Sequence, residues 1–426
     1  MDAQQLLKII EADAEAHVEF LQRFTQAPSP NPPGDTREAA DVLVKYLQAS
    51  DIEPELIAPR PSMPNVVSDF NCGSKDGPRL IMNGHIDVFP AGDRADWPRD
   101  PWSGEVVDGR LHGRGTVDMK AGTTASVIAY TYIHKYREHL TGSVALCAVS
   151  DEETGGKWGT KYLLEDPRWK GDCVIDGEPG GLGTIRFAEK GTLRLTFTVK
   201  TEGAHGSYLH RTKSATRIAA ALINELSVIE KIVPNLDPAL KEYMKRSDVR
   251  DAIDVAMGAG AADIVLVPTL NIGTIHGGLK VNMIPGDCVF EADIRMPVGL
   301  KAGQVMDVIH KLLKKFPEAA VDIQQAASNP ANSCAHDHPM VEILARQAEN
   351  FTGKKPLAIP SLGATDCKHY RYNSIPAYIY GVSPETMAAR DESVSVEEFL
   401  TVVKTHALAA WEYLGGANGK TVAHCG

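Results

Sequence analysis

A histidine and an aspartate two residues apart follow a short apolar segment, in Gly84-His85-Ile86-Asp87. Residues 79–84 are predicted to form a buried strand, and side chains two positions apart at its end point to the same side. His85 can therefore ligate a divalent metal ion while Asp87 orients the imidazole from behind. Most such pairs, taken alone, are structural, so the interpretation depends on further clusters.

Acidic residues follow two other predicted strands directly. Asp151-Glu152-Glu153 comes after a strand over residues 143–149, and Asp176-Gly177-Glu178 comes after a strand over residues 172–176. Carboxylates crowded at a strand end repel one another unless a cation neutralises them. An exposed charged loop is the alternative for each cluster, but open α/β sheets place their sites at the carboxyl ends of strands.

A further aspartate, Asp118, lies in the glycine-rich segment 113–122, where a turn becomes a helix. Such a turn lets the backbone approach a ligand closely, although Asp118 could equally be a helix N-cap. One imidazole and several carboxylates suit zinc, cobalt or manganese. Two ions need a bridging carboxylate, and a carboxylate that binds no metal must take the proton from water; Glu152 and Glu153 can supply one ligand and one base.

The elements that must position these residues alternate between strands and helices, which predicts an α/β domain with a mostly parallel central sheet flanked by helices. Residues 188–328 follow a β-α-β-β-α-β order and predict an α+β domain inserted within a catalytic domain of residues 1–187 and 329–426. Residues 6–24 read as one helix, and residues 234–268 match no element.

Composition limits the possible partners. The net charge of −11 argues against nucleic acid, and no apolar run approaches the length of a membrane span. A small-molecule substrate is expected. The acidic N-terminal stretch is unlike a targeting peptide and favours a cytoplasmic protein. Seven dispersed cysteines, Cys425 included, are predicted to be reduced packing residues.

With these clusters identified, the sequence resembles the M20 metallopeptidases, the group of acetylornithine deacetylase, succinyl-diaminopimelate desuccinylase, glutamate carboxypeptidase and aminoacylase. The resemblance covers nearly the whole chain. It is carried by residues 28–34, 84–88, 97–101 and 113–122, and by Asp151-Glu152-Glu153, Gly177-Glu178-Pro179 and the inserted domain.

The resemblance implies a role for each matching residue. His85 and Glu178 bind the first metal, with Asp176 a weaker choice than Glu178, and Asp118 bridges two ions. Asp87 stands behind His85. Glu152 is the general base, and Glu153 binds the second metal.

The resemblance implies that the inserted domain is a lid and dimerisation domain. It also implies that His205, in Ala204-His205-Gly206-Ser207, reaches a partner subunit's active site and stabilises the oxyanion. A homodimer through this domain follows, although a surface-loop histidine is the alternative. Asn282 and Arg295 match residues that hold a substrate carboxylate, a task for which the guanidinium fork is suited. Arg295 could instead pair with Asp293 on the sheet surface.

One stretch departs from the family pattern. The family has a histidine, the last ligand of the second metal, shortly before a Glu-x-Val pattern, and residues 387–394 contain none. His369 is the nearest substitute, ahead of His336 and His338. Without a substitute, the enzyme works with one ion.

The resulting hypothesis is a metal-dependent hydrolase that cleaves an amide of a small carboxylate-bearing substrate, such as an N-acyl amino acid or dipeptide, with Glu152 as the base. One alternative is a hydrolytic deaminase of an aromatic or other non-peptide amine that uses one ion. The second is a non-catalytic metal-binding protein, which would need neither Glu152 nor His205.

Overall fold

The computed structural model describes residues 1–417, which form two compact units. The first unit comprises Met1–Phe187, Cys334–Ile359 and residues 365–417. The second comprises Ala188–Ser333 and Pro360–Ala364.

Helices and strands alternate along most of the chain. The helices are α1 Ala3–Ala12, α2 Ala14–Thr25, α3 Arg37–Gln48, α4 Ala121–Lys135, α5 Thr160–Leu163, α6 Ala215–Leu226, α7 Pro238–Tyr243, α8 Ser247–Met257, α9 Ala261–Ile264, α10 Ala302–Leu313, α11 Pro339–Thr352, α12 Cys367–Tyr372 and α13 Val396–Tyr413. The strands are β1 Glu55–Ile57, β2 Asn65–Asn71, β3 Ser74–His85, β4 Val106–Val107, β5 Arg110–His112, β6 Thr141–Val149, β7 Cys173–Asp176, β8 Thr184–Glu189, β9 Gly191–Lys200, β10 Ala204–His205, β11 Thr269–Gly277, β12 Met283–Ile284, β13 Asp287–Met296, β14 Ala319–Ile323, β15 Asn332–Ser333, β16 Leu357–Ser361, β17 Ala377–Ile379 and β18 Ser393–Ser395.

The first unit contains a mixed sheet whose strands are ordered β1-β2-β6-β3-β7-β17-β8. The central pairs β6-β3, β3-β7 and β7-β17 are parallel, and the pairs β1-β2, β2-β6 and β17-β8 are antiparallel. The predicted α/β class is confirmed, with the parallel part confined to the centre of the sheet. Strands β6 and β7 are buried almost throughout, as expected of strands covered on both faces.

Helix α4 contacts β3 and packs along α13. Its side chains are buried continuously from Ala121 to Ile133, so this helix is covered on all sides rather than amphipathic. It therefore forms a rigid support beneath the strand that delivers His85.

The three parallel strands that precede the polar clusters end at the same edge of the sheet. Strand β3 ends at His85, which pairs in register with Val149, the last residue of β6. Asn83 of β3 pairs with Asp176, the last residue of β7. The chain segments after these ends therefore converge above one edge.

The second unit has an antiparallel sheet in the order β11-β13-β9-β14. Helices α6 and α10 follow β9 and β13 in the predicted β-α-β-β-α-β order. Leu222 of α6 and Ile309 of α10 belong to one buried cluster with Phe197 and Phe290, whose rings stack with centroids 4.7 Å apart. This cluster gives the second unit its own hydrophobic core.

One segment differs from the sequence prediction, and another, for which no element was predicted, is helical. Residues 6–24 form two helices, because Asp13 interrupts them and its carboxylate accepts a hydrogen bond from the Tyr132 hydroxyl at 2.6 Å. Residues 234–268 form α7, α8 and α9. Lys190 Nζ donates to the carbonyl oxygens of Ile264 and Val267 at 2.9 and 2.6 Å, which fastens the end of this segment.

None of the helices in residues 1–417 has both the length and the apolar character needed to cross a membrane. The six cysteines within the described residues are free thiols, five of them buried. Cys425 lies outside the described residues.

His406, on the face of α13 toward α4, is fully buried. Its Nε2–H donates to the Tyr380 carbonyl oxygen at 2.7 Å, and its Nδ1 lies 3.3 Å from the Ser126 hydroxyl. Both ring nitrogens are thus used by the neutral imidazole. Burial lowers the pKa of His406 from its usual 6.5 to about 4, partly offset by the Tyr380 hydrogen bond.

We expect this histidine to make the protein less stable in acid. Below pH 6.5, His406 is protonated in the unfolded chain but stays neutral in the folded chain. The free energy of unfolding therefore falls as the pH drops from about 6.5 to about 4. The loss attributable to His406 is on the order of 3 kcal/mol. Urea unfolding of wild type and His406→Leu across this range measures it, with the exposed His310→Leu as control. Equal pH slopes for wild type and His406→Leu would contradict the assignment.

Candidate metal centre

His85, Asp118 and Glu178 form a group in which one ligand atom from each lies within 4.8 Å of the others. His85 Nε2 is 3.1 Å from Asp118 Oδ1 and 3.5 Å from Glu178 Oε1. All three side chains are largely buried, with His85 only 1% exposed. One imidazole and two carboxylates at this spacing fit a divalent cation such as zinc, cobalt or manganese.

Close backbone packing brings Asp118 toward Glu178. A Cβ atom on Gly122, in the first turn of α4, would lie 1.9 Å from the Gly177 carbonyl oxygen, so only glycine permits this contact. Asp118 itself has non-helical backbone angles, and α4 begins after Lys120 without a side-chain cap. The alternative reading of Asp118 as the N-cap of α4 therefore does not describe this structure.

Asp87 contacts both the His85 imidazole and the acidic turn, which is the turn that carries Glu152 and Glu153. The His85 Nδ1–H donates to the Asp87 backbone carbonyl oxygen at 2.8 Å, which leaves Nε2 directed at Asp118 and Glu178. The Asp87 carboxylate, 3.6 Å from Nδ1, instead accepts hydrogen bonds from the backbone amides of Glu152 and Glu153, both at 3.2 Å. The Asp87 carboxylate thus fixes the backbone positions of Glu152 and Glu153.

The turn that carries Glu152 and Glu153 starts from a strained residue. Asp151 has φ 82°, a left-handed conformation that is costly for a residue other than glycine. Its carboxylate accepts hydrogen bonds from the Trp158 amide at 3.0 Å and from Asn31 Nδ2 at 3.4 Å, and these contacts hold the conformation. Asn31 Nδ2 also donates to Asp87 at 2.8 Å.

The acids of the site repel one another where they are buried in the protein. Burial, with the Asp118 carboxylate nearby, raises the pKa of Glu178 well above its usual value and raises the pKa of Glu153 to about 10. Burial alone would lower the pKa of His85, but its acidic neighbours outweigh burial and raise it. Groups arranged in this way are stabilised by a divalent cation, which displaces their protons.

Glu152, largely buried, lies within electrostatic range of His85 and Asp118 without belonging to the three-ligand group. Burial raises the pKa of Glu152, and the Lys368 ammonium partly offsets this. Lys368 Nζ lies 3.4 Å from Glu152 Oε1. A carboxylate beside the ion site but outside its ligand set is positioned to act as a base.

Residues 1–417 contain no second ligand set of this kind. No other three histidine, cysteine or acidic side chains in this range place their ligand atoms within 4.8 Å of one another, so Glu153 and His369 belong to no such group. His369 Nε2 lies 3.8 Å from Asp366 Oδ1. His338 Nδ1 instead accepts the Met340 amide at the start of α11. His336 packs its ring near Phe187.

The segment that lacks the family histidine contributes a different side chain. Glu392, 1% exposed, accepts hydrogen bonds from the backbone amides of Val117 at 2.9 Å and Asp118 at 3.2 Å. Its other carboxylate oxygen pairs with Arg114 at 2.5 Å. Glu392 therefore fixes the backbone of Asp118, one of the three candidate ligands.

We expect Glu392→Gln to weaken divalent metal binding by about 10- to 100-fold, because partners behind ligands typically contribute that much. Arg114 would also lose its buried ionic partner, so thermal stability should fall. Calorimetric titration with Mn²⁺ measures the affinity. Glu342→Gln, which breaks an exposed ion pair with Lys355, is the matched control. Unchanged Mn²⁺ affinity in Glu392→Gln would exclude this role.

The three candidate site residues of the second unit are His205 on β10, Asn282 just before β12 and Arg295 on β13. His205 is exposed on β10 and pairs with Met283 of β12, and the Asn282 carbonyl oxygen accepts the Gly206 amide at 2.7 Å. His205 and Asn282 are thus neighbours. Arg295 lies on β13, and its Nη2 donates to Asp293 Oδ2 at 3.1 Å.

Three residues around the first-unit site were not predicted from the sequence. Asn31 lies in the proline-rich segment 28–34, Lys368 precedes His369, and Glu392 begins the Glu-x-Val pattern. Each lies within or beside a motif that we had identified. Residue type alone did not indicate their contacts, because each contact partner is far away in the sequence.

The fold and this donor set define a metal-dependent hydrolase: a cation site at the carboxyl edge of an α/β sheet, with a non-ligand glutamate beside it. Comparison with known proteins leads to the same class. A family model described as peptidase family M20/M25/M40 matches residues 81–412, and the chain belongs to this family. It is accordingly a metal-dependent hydrolase that acts on amide bonds of small molecules.

Individual relatives extend the likeness over most of the chain. A probable succinyl-diaminopimelate desuccinylase of Staphylococcus epidermidis is 26% identical over 383 residues, which cover 87% of this chain and 91% of that protein. The succinyl-diaminopimelate desuccinylase of Rhodospirillum centenum is 27% identical over 354 residues, covering 81% and 84%.

Solved structures share the fold. An M20 family metallo-carboxypeptidase from Sulfolobus solfataricus matches with a TM-score of 0.76 at 19% identity, covering 93% of this chain and 99% of that one. A dinuclear metal binding peptidase of the M20 family from Bacillus subtilis matches with a TM-score of 0.66 at 17% identity, covering 95% and 99%.

Proposed function

We propose that this enzyme hydrolyses the amide bond of an N-acyl amino acid or a small dipeptide-like molecule, with Glu152 as the general base. The observation that carries the proposal is the position of Glu152, which lies beside the His85, Asp118 and Glu178 group while its backbone amide is held by Asp87. A structural metal site needs no such carboxylate.

The cation proposed for this site is Zn²⁺, Co²⁺ or Mn²⁺, held by His85, Asp118 and Glu178. Such an ion supplies a Lewis acid for a carbonyl oxygen and for water. Glu152 then accepts a proton from water and returns it to the leaving nitrogen. Asp87 keeps the glutamate turn in place throughout, because its carboxylate binds two backbone amides of that turn.

The proposed substrate carries a carboxylate. The two desuccinylase relatives are named for the removal of a succinyl group from an amino acid derivative, and Arg295 with Asn282 offers groups that bind carboxylates. Arg295 pairs with Asp293 in this structure, so a substrate carboxylate must compete with that ion pair.

Assays on protein loaded with Zn²⁺, Co²⁺ or Mn²⁺ test the proposal. N-acetyl amino acids, N-succinyl amino acids and dipeptides are supplied separately, and free amino acid and ammonia are measured in the same samples. We expect amino acid without ammonia. Ammonia released from an aromatic amine would favour the deaminase, and absence of any C–N cleavage by ion-loaded protein would favour a non-catalytic role.

We also propose a homodimer formed through the second unit. Strand β11 lies at the edge of its sheet and pairs within the described residues with β13, and its side chains from Thr274 to Gly277 are exposed. Ile275 on this strand is 51% exposed, and Val281 further along is fully exposed. An open edge with apolar side chains favours pairing with a second copy.

A cytoplasmic location of the protein remains a prediction.

His205 is proposed to stabilise the oxyanion in the partner subunit's site, as the resemblance implies. Complementation tests this. We expect Glu152→Gln and His205→Ala homodimers to be inactive, and heterodimers isolated with two tags to regain about half of wild-type activity, because one of two sites is then intact. Heterodimers as inactive as their parents would refute action between subunits.

A further inference from the structure

A buried lysine stands beside the proposed base. Lys368, 4% exposed, lies on the short helix α12. Its Nζ is 3.4 Å from Glu152 Oε1 and donates to the Thr365 carbonyl oxygen at 3.0 Å. A charged ammonium is rarely buried unless it meets an opposite charge, and here the Glu152 carboxylate supplies that charge together with the nearby Asp366 carboxylate.

The start of α12 is anchored so that this contact persists. Asp366, 1% exposed, accepts a hydrogen bond from the Thr160 hydroxyl at 2.8 Å. Gly156 ends the acidic turn that carries Glu152 and Glu153. It packs so closely against Asp366 that a Cβ atom on Gly156 would lie 2.6 Å from Asp366 Oδ1. The acidic turn and the lysine helix are therefore packed against each other, and Lys368 cannot withdraw without disturbing both.

The described residues offer no complete ligand set for a second ion. Glu153 Oε1 is buried without a hydrogen-bond partner, but no histidine in residues 1–417 completes a three-ligand group with it and Asp118. His369 Nε2 lies 3.8 Å from Asp366 Oδ1, too far for a hydrogen bond, and both atoms are buried without a hydrogen-bond partner. The donor set for a second cation is therefore incomplete, whereas a fixed ammonium is already in contact with Glu152.

We propose that this enzyme works with one divalent ion and that the Lys368 ammonium neutralises and orients the Glu152 carboxylate. This inference rests on the proposed role of Glu152. Lys368 is then a positioning residue, which acts on the substrate through Glu152 and makes no ligand bond to the ion. The M20 family peptidase from Bacillus subtilis, by contrast, is a dinuclear metal binding protein.

Metal stoichiometry gives the first test. Wild-type protein is titrated calorimetrically with Mn²⁺ alone, and the bound metal is counted by mass spectrometry after gel filtration. We expect one Mn²⁺ per chain in wild type and in Lys368→Met, with affinities equal within a few-fold. Two retained ions in wild type overturn the proposal, as does loss of the single ion in Lys368→Met.

Kinetics with N-acetyl and N-succinyl amino acids gives the second test. We expect Lys368→Met to lower kcat by about 10- to 100-fold with little change in KM, as fits the loss of one charged hydrogen bond to the base. Lys368→Arg should recover part of kcat, and the exposed Lys311→Met should be unaffected. A kcat in Lys368→Met equal to wild type overturns the proposal.

A double variant separates this inference from the proposed function. If Lys368 acts through Glu152, adding Lys368→Met to Glu152→Gln causes no further loss. Additive losses refute the link between the two residues. Near-normal kcat in Glu152→Gln alone refutes the role of the base, whereas a slow Glu152→Gln with a fast Lys368→Met refutes only the role of the lysine.

Discussion

Replacing Glu152 with glutamine is expected to lower kcat by about 10²- to 10⁴-fold, the contribution typical of a general acid–base residue. Glutamine keeps the size of the side chain and the backbone amide that Asp87 binds, but it cannot accept a proton from water. Steady-state kinetics on metal-loaded protein measures the effect. The KM should change little, because Glu152 is proposed to move a proton rather than bind substrate.

Metal content distinguishes this result from damage to the site. Glu152→Gln should retain as much divalent metal as wild type, since Glu152 lies outside the three-ligand group. Glu138→Gln, at an exposed position, is the matched control and should behave as wild type. A slow Glu152→Gln that has also lost its ion would reassign Glu152 as a ligand.

The second large effect is expected from His85→Ala, which removes the imidazole of the three-ligand group. Replacing a partner behind a ligand costs about 10- to 100-fold in metal affinity, so deleting the ligand itself should cost more than roughly 100-fold. Activity should fall below detection at micromolar metal. Calorimetric titration with Mn²⁺ and metal counting after gel filtration measure the loss directly.

An exposed histidine provides the comparison for that experiment. His310→Ala, on the surface of α10, makes the same chemical change and should leave both affinity and kcat unchanged. If His85→Ala retains one tightly bound ion per chain, the metal centre lies elsewhere, and the proposal built on His85, Asp118 and Glu178 fails.

The general base and the ligand group depend on one architectural feature. Strands β3, β6 and β7 are parallel neighbours, so the segments that follow them meet at a single edge. Loops there can vary without disturbing the buried sheet, which is why this edge carries chemistry in many α/β enzymes. Residues 387–394 show such variation, because Glu392 supports Asp118 where the family pattern has a ligand histidine nearby.

Much of this organisation is local and was therefore visible in the sequence. Apolar runs before His85, Asp151 and Asp176 predicted buried strands, since period and composition reflect only neighbouring positions. Polar residues at the ends of those runs predicted a shared metal site. The order of elements in residues 188–328 was predicted for the same reason. The break at Asp13 was missed, because it involves a contact with Tyr132, far along the chain.

The sequence by itself thus determined the α/β class and the identity of the family, together with the candidate cluster of His85, Asp118 and Glu178. Only the tertiary structure decided that Asp87 binds the glutamate turn and that His369 lies apart from the cluster. It likewise placed Glu392 on Asp118, 274 residues away, and Lys368 beside Glu152, 216 residues away. Hydrogen bonds form or fail over differences of less than 1 Å, and distances of that kind are set by packing rather than by local pattern.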